Sequence, residues 1–233
     1  MHNTIFLQKE TLSDFVKCPY LENQMMRFEF MYILKISGSY FNELLENGWR
    51  RFGYFFFRPC CPKCSKCLPI RVKVDLFKPL KSLKRIINKN INIDVFFENI
   101  LFKNEYFDIY KEHSKERFGQ ESDINDFRSS FFPDVVKSFH SNFYYNNKLI
   151  ASGFLDISNH AASSVYFYYK TEFDYLSLGT YSVMKEIQFA KENGLNYYYI
   201  GYYIKENKHM SYKNRFKPYQ LFDWSNKKWI DYE

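Results

Sequence analysis

The sequence predicts a mixed α/β fold, in which antiparallel strands lead into a parallel pair and helices flank the sheet. Two patterns carry this. Residues 139–145 and 148–157 are β-rich and flank Asn146-Asn147, a pair tolerant of left-handed turn geometry, so they predict a hairpin. Residues 180–193 place Val183, Met184, Ile187 and Ala190 on one helical stripe ended by Gly194, between β-rich runs at 164–169 and 197–204. A strand, a helix and a strand in that order call for a right-handed crossover and parallel pairing. The 233 residues suffice for one large or two small domains with a real core.

Taken from the N-terminus, residues 39–47 read as a short helix closed by Gly48, a residue preferred just past a helix end. Residues 49–59 form a β-leaning aromatic run, stopped by Pro59 ahead of the cysteines. Beyond them Ile70, Val72, Val74 and Leu76 alternate with Arg71, Lys73 and Asp75, the period of a half-buried strand, so the cysteine loop joins two strands. The basic stretch 81–90 reads as a helical link and divides the chain into parts 1–80 and 81–233. Leu101, Phe102, Tyr106, Ile109 and Tyr110 give residues 99–118 a helical stripe, and residues 122–132 read as a shorter helix capped by Ser122.

Composition narrows the function classes. An aromatic fraction of 21% against 25% charged residues excludes a disordered chain, because that much apolar surface can offset chain entropy. The longest apolar stretch, 53–57, is far short of the ~20 residues that span a bilayer. Residues 1–10 lack the charged start and apolar run of a secretory signal, so residence in the cytoplasm is expected. The net charge of +7 permits a nucleic-acid partner without requiring one.

Four cysteines, Cys60, Cys61, Cys64 and Cys67, fall within eight residues, and Cys18 stands apart. In a reducing compartment such a cluster is metal-linked or simply reduced. Zinc needs four ligands and the second pair is missing here, unless folding brings Cys18 to Cys61, Cys64 and Cys67; an iron-sulfur cluster would use the same thiolates. Reduced thiols packed at a strand end are the alternative.

Three further groups could carry chemistry. The turn Leu176-Ser177-Leu178-Gly179-Thr180-Tyr181 lies between a strand and a helix, where backbone amides can face a phosphate. Acyl-CoA-dependent N-acetyltransferases place Arg/Gln-x-x-Gly-x-Gly/Ala there. Leu176 and Tyr181 depart from it, which argues against CoA. Arg50, Arg51, Arg58 and Arg71 surround an aromatic strand and suit carboxylate or phosphate recognition by guanidinium forks. Lys205, Lys208, Lys213, Arg215 and Lys217 interleave with Tyr202, Tyr203, Tyr212 and Phe216, a mixture that holds single-stranded nucleic acid by charge and stacking. The histidines, at 2, 113, 140, 160 and 209, show neither metal-ligand spacing nor a nucleophile partner, and His113 is expected on a helix surface.

In order along the chain, Cys18-Pro19-Tyr20-Leu21, Gly48-Trp49-Arg50-Arg51-Phe52-Gly53, Arg58-Pro59, the cysteine set, Pro69-Ile70-Arg71-Val72, Ser177-Leu178-Gly179-Thr180-Tyr181, Ile200-Gly201-Tyr202-Tyr203-Ile204 and Met210-Ser211-Tyr212-Lys213 resemble the arginyl-tRNA-protein transferase family, in particular its short bacterial branch. Departures fall at Glu22-Asn23, Lys170-Thr171 and Gln220, where the family has Pro-Gly, Asp-Pro and Glu.

The resemblance implies a two-part fold whose C-terminal part is similar to N-acetyltransferases, with an N-terminal cysteine-containing part. It implies that the α-amine of a protein beginning with Asp or Glu attacks the ester of an aminoacyl-tRNA, usually leucyl-tRNA in this branch, and that the product enters the N-degron pathway. Partners are then aminoacyl-tRNA and proteins with acidic N-termini, not DNA or a membrane. No cofactor is required for transfer, and zinc or an iron-sulfur cluster is a candidate at Cys18, Cys61, Cys64 and Cys67. Tyr20, Arg50, Arg51, Arg58 and Arg71 are expected at the acceptor, and Ser177, Leu178, Gly179, Thr180, Tyr202, Lys213 and Arg215 at the tRNA end. No catalytic residue is assigned. Arginine as donor, an acyl-CoA enzyme and a non-catalytic RNA-binding module with a cysteine metal site are the competing readings.

Overall fold

The computed structural model describes residues 4–233; Met1 and His2 of the N-terminal reading lie outside them. The chain runs β1 (Ile5–Leu12), β2 (Val16–Lys17), β3 (Met25–Met26), β4 (Phe28–Lys35), α1 (Gly38–Glu46), β5 (Arg50–Phe52), β6 (Phe55–Pro59), β7 (Leu68–Lys73), α2 (Lys81–Lys89) and β8 (Ile93–Asn99). It continues through α3 (Asn104–Phe118), α4 (Ile124–Phe131), β9 (Lys137–Tyr145), β10 (Lys148–Ile157), β11 (Ala161–Tyr169), α5 (Leu178–Glu192), β12 (Tyr197–Tyr203), β13 (Tyr219–Asp223) and β14 (Lys228–Tyr232). No helix among the described residues is long and apolar enough to cross a membrane.

An eight-stranded sheet has the order β14-β13-β7-β12-β11-β10-β9-β8, and a four-stranded sheet has the order β1-β4-β6-β5. In the large sheet β11 and β12 pair in parallel, as the strand-helix-strand order requires, and the other neighbours are antiparallel. Residues alternate between the two faces of the large sheet. One face packs Val72, Leu155 and Tyr198 with Ile187 and Ala190 of α5. The other packs Phe154 and Tyr168 with Tyr106 and Ile109 of α3 and Phe127 and Phe131 of α4. Much of the aromatic content therefore fills cores, at roughly 1.5–3 kcal/mol for each fully buried large side chain.

Several local expectations are corrected. Residues 49–59 are a hairpin instead of one strand: Gly53 takes φ +54 at the turn, and a Cβ there would stand 2.5 Å from the Ser129 carbonyl. The cap of α4 is Asp123, whose carboxylate accepts from the amides of Asn125 and Asp126, so Ser122 is not the cap. His113 is buried, with Nδ1 3.1 Å from the Tyr169 carbonyl, because the face of α3 that carries it packs on β11. β7 sits inside the large sheet between β12 and β13, away from the small sheet that holds β6. The cysteine loop thus joins the two sheets.

Candidate functional site

The parallel pairing of β11 and β12 lasts only from Ala161↔Tyr197 to Ser163↔Tyr199. Beyond it the strands part. β12 turns toward β7 through a register shift between Tyr199 and Gly201, where Gly201 takes φ +109. The fork holds a cavity of about 360 Å³. Its walls are Ser164 to Phe167 and Tyr169 of β11, Ile200 to Tyr202 of β12, and Gly179, Ser182 and Val183 of α5. Across the opening stand Arg50, Arg51 and Phe52 of β5, Phe57 of β6, Tyr20, and Met210, Tyr212 and Lys213.

A left-handed Ser177 (φ +55) precedes α5; its carbonyl accepts from the Thr180 and Tyr181 amides, and Gly179 of the first turn lines the fork. A second, open cleft shares Tyr169, Gly179 and Tyr212 with the cavity and adds Ser177, Thr180, His113, Phe118, His209 and the ion pair Arg117–Asp174. Leu178 is in the core, and Arg215, two residues beyond Lys213, lines neither space.

The four arginines expected together are separated. Arg51 is bound to Asp156, with Nε–Oδ2 2.7 Å and Nη2–Oδ1 2.6 Å, and Nη1 donates to the Gly53 carbonyl at 2.8 Å. Arg71 donates to Gln220 Oε1 (2.7 Å) and the Tyr199 hydroxyl (2.9 Å) and stacks against Tyr197 and Trp229, outside the cavity. Arg58 pairs with Glu29 at 2.7 Å and lies over Trp49, also outside it. Arg58, expected to bind the acceptor carboxylate with Arg50, Arg51 or Arg71, therefore stands apart from the cavity that Arg50 and Arg51 line.

Arg50 differs from the others. It is 8% exposed, its Nη2 donates to the Ser164 carbonyl, and its Nη1 is buried without a partner. Burial holds its guanidinium below the usual arginine range. Beside it, Lys213 Nζ donates to the Tyr202 carbonyl at 2.7 Å, and burial, with Arg50 second, pushes its ammonium down to about 7. Both cations converge on Gly201, where a Cβ would stand 3.3 Å from Lys213 Nζ and 3.9 Å from Arg50 Nη2. Among the described residues no Asp, Glu or His lines the cavity. Two converging cations without a carboxylate make a receptor for an anion.

Cys18, Cys61, Cys64 and Cys67 do come together, around a narrow cavity of about 50 Å³ that shares Tyr20 and Tyr202 with the fork. Tyr202 is the wall between the two, its hydroxyl donating to the Gly48 carbonyl at 2.9 Å. Burial raises the Cys61 thiol and pushes Cys67 up to about 12, with the neighbouring thiols adding to the shift. Among the described residues no three His, Cys, Asp or Glu side chains are placed to hold a metal ion. The expectation of zinc or an iron-sulfur cluster at these cysteines gains no support from this placement.

The family model for the C-terminus of arginine-tRNA-protein transferase matches residues 105–223, and that for the N-terminus matches residues 16–85. The chain belongs to the arginine-tRNA-protein transferase family. Aspartate/glutamate leucyltransferase of Campylobacter jejuni is 36% identical over 221 residues, covering 91% of this chain and 90% of that one. Its namesakes in Helicobacter hepaticus (33%, 88% of each chain) and Pseudomonas syringae pv. tomato (32%, 81% of each chain) are similar as well.

Two solved structures show how this transferase-family fold is shared. FemX matches with a TM-score of 0.52 at 9% identity, over 90% of this chain and 85% of that one. The C-terminal domain of an Agrobacterium fabrum protein described as a lysylphosphatidylglycerol synthetase also matches with a TM-score of 0.52, at 12% identity, over 85% of this chain and 69% of that one. The two family models leave residues 86–104 between them, whereas β7, inside the N-terminal match, sits in the large sheet with strands of the C-terminal match. That division follows sequence and not the sheets.

Proposed function

We infer that this protein moves leucine from leucyl-tRNA to the α-amine of polypeptides that begin with Asp or Glu, in the cytoplasm, and that the new N-terminal leucine commits them to the N-degron pathway. The name shared by relatives over most of the chain supports the donor and the acceptor. One observation carries the acceptor side: Arg50 lines a cavity that no carboxylate of the described residues lines, and its buried Nη1 has no partner. An acidic side chain of the incoming N-terminus supplies the missing partner.

The chemistry asks little beyond placement. An α-amine has a pKa of about 7.7–8.0, so a useful fraction is neutral at cytoplasmic pH. The aminoacyl ester is an activated acyl donor. Holding amine and ester together removes most of the entropic barrier, and the transfer needs no cofactor. The fold is N-acetyltransferase-like in this reading, with the fork of β11 and β12 receiving the two substrates from opposite sides. The 3′ end of the tRNA lies along the open cleft at Ser177, Gly179 and Thr180, with His209 and the Asp174-paired Arg117 beside it. The acceptor enters past Tyr20 to reach Arg50.

Discrimination follows from Arg50. An Asn, Gln or Ala N-terminus leaves the guanidinium unpaired, a penalty of about 2–5 kcal/mol. The test offers leucyl-, arginyl- and phenylalanyl-tRNA with peptides starting in Asp, Glu, Lys or Ala. Leucine should pass to Asp and Glu alone, and Arg50→Gln should erase that preference. Equal transfer to Ala-initiated peptides by the wild-type protein would sink the reading.

A further inference from the structure

The cavity contains a short set of groups able to handle a proton. Its lining side chains that titrate are Arg50, Arg51, Lys213 and the tyrosines 20, 166, 169, 202 and 212. Arginine does not give up its proton. Burial raises every one of those tyrosines, with Tyr166 and Tyr212 pushed up to about 12, so their hydroxyls stay neutral. From α5 the cavity receives Gly179, Ser182 and Val183, none of them charged, while Glu186 is buried deeper, under the Tyr198 and Ser141 hydroxyls. Lys213 is the remaining group.

Its placement suits the role. The turn Ser211–Arg215 carries Lys213 over the mouth of the fork, and its Nζ is fixed by the 2.7 Å bond to the Tyr202 carbonyl. That bond uses one N–H. In the neutral amine the lone pair is then free for the cavity, and glycine at 201 leaves the space beside it open. Arg50 stands on the same spot, so an acceptor carboxylate paired with Arg50 brings its own α-amine within reach of Lys213.

We propose that Lys213 is the catalytic base: its neutral Nζ takes a proton from the α-amine nitrogen as that nitrogen bonds to the ester carbonyl carbon. The carbonyl π pair moves to oxygen in this step. As the tetrahedral intermediate collapses, the C–O bond to the ribose breaks, its electron pair leaves on the ribose oxygen, and the Lys213 ammonium returns the proton there. The products are an amide and a free ribose hydroxyl, with the lysine neutral again. This rests on the transferase reading above.

The test separates a base from a cation that only binds. Lys213→Arg keeps the charge and any phosphate or carboxylate contact but cannot deprotonate, so kcat should fall by about 10²–10⁴-fold while leucyl-tRNA binding is retained. The pH dependence is measured with an Asp-like acceptor bearing an aminooxy group in place of the α-amine, whose nitrogen stays neutral across the range. Wild-type kcat/KM should rise with pH and level off above about 7, as the lysine of the free protein loses its proton, and Lys213→Arg should lose that limb. If Lys213→Arg does not fold, Lys213→Ala with added methylamine carries the same test, kcat recovering in proportion to the free amine. A Lys213→Arg kcat within about threefold of wild type, against the loss a base implies, or an unchanged limb, overturns the assignment. The absence of leucine transfer by the wild-type protein would instead overturn the transferase reading.

Discussion

Replacing Arg51 by Met separates a structural arginine from a substrate-binding one. Arg51 spends its guanidinium inside the protein, on Asp156 through two bonds of 2.7 and 2.6 Å, on the Gly53 carbonyl at 2.8 Å and on Ser138 at 3.2 Å. The side chains of the pair are 4% and 1% exposed. Arg51→Met leaves the Asp156 carboxylate buried with only the Ser138 hydroxyl, at 2.6 Å, still donating to it. Removing one partner of a buried pair costs about 3–5 kcal/mol, because the surviving charge stays desolvated. For a chain of this size each kcal/mol lowers Tm by about 2–4 °C, so the melt should drop by roughly 6–20 °C. Circular dichroism against temperature and urea reads this, and Arg51→Met with Asp156→Leu should recover most of the loss. Below the melt, the ratio of transfer to Asp-initiated over Ala-initiated peptides should stay at the wild-type value. A stability loss under about 1 kcal/mol, together with a fall in that ratio, would refute the argument and return Arg51 to the acceptor site.

Gly201→Ala forces a Cβ to 3.3 Å from Lys213 Nζ at a φ of +109, so stability should fall by about 1–3 kcal/mol and transfer by more than that loss explains; unchanged kcat at saturating substrate would show that Lys213 need not stand there. Cys67, pushed up to about 12, is protonated at pH 8, and its thiolate becomes available only as pH climbs well beyond that. In the folded protein iodoacetamide should therefore label it roughly a thousandfold more slowly than an unperturbed thiol, while the exposed Cys60 reacts readily; equal labelling of Cys60 and Cys67 contradicts the burial argument. Leucyl-tRNA affinity should fall as salt rises, with a shallow slope of a few phosphates, and a flat response would count against the cleft at Arg117 and His209.

The elements legible in the sequence are those whose burial follows one period. The stripe Val183, Met184, Ile187 and Ala190 is buried as α5, and the hairpin at Asn146-Asn147 joins β9 to β10 with both asparagines at positive φ. Strands β1, β4, β13 and β14 escape notice for physical reasons. β1 exposes Ile5, Phe6 and Leu7, so its apolar residues trace no buried face. β13 and β14 are five residues each, and β13 follows Pro218 directly. β8 does alternate at Ile93, Val95 and Phe97, a signal obscured by the adjoining Phe96.

At the site, residue types were readable and their freedom was not. Four arginines in similar aromatic surroundings become different objects once Asp156, Gln220 and Glu29 take three of them. Those partners lie 105, 149 and 29 residues away along the chain. Only folding decides which guanidinium is left over. Gln220, a departure where the family has Glu, is the clearest case: its amide oxygen accepts from Arg71, which also stacks on Tyr197 and Trp229.

The leftover arginine has a cost. A buried donor without a partner destabilises a fold by about 1–3 kcal/mol, and more when it is charged. Arg50 bears this at the junction of the two sheets: it belongs to β5 of the small sheet and reaches the Ser164 carbonyl on β11 of the large one. That reach crosses the fork opened by the short pairing of β11 and β12. An acidic N-terminus entering the fork relieves the cost, whereas a neutral one must leave it in place. On the proposed reading, selectivity comes from this unpaired donor and not from a broad basic surface. What the structure shows is Arg50 beside Lys213 at Gly201, in a cavity that no acid of the described residues lines.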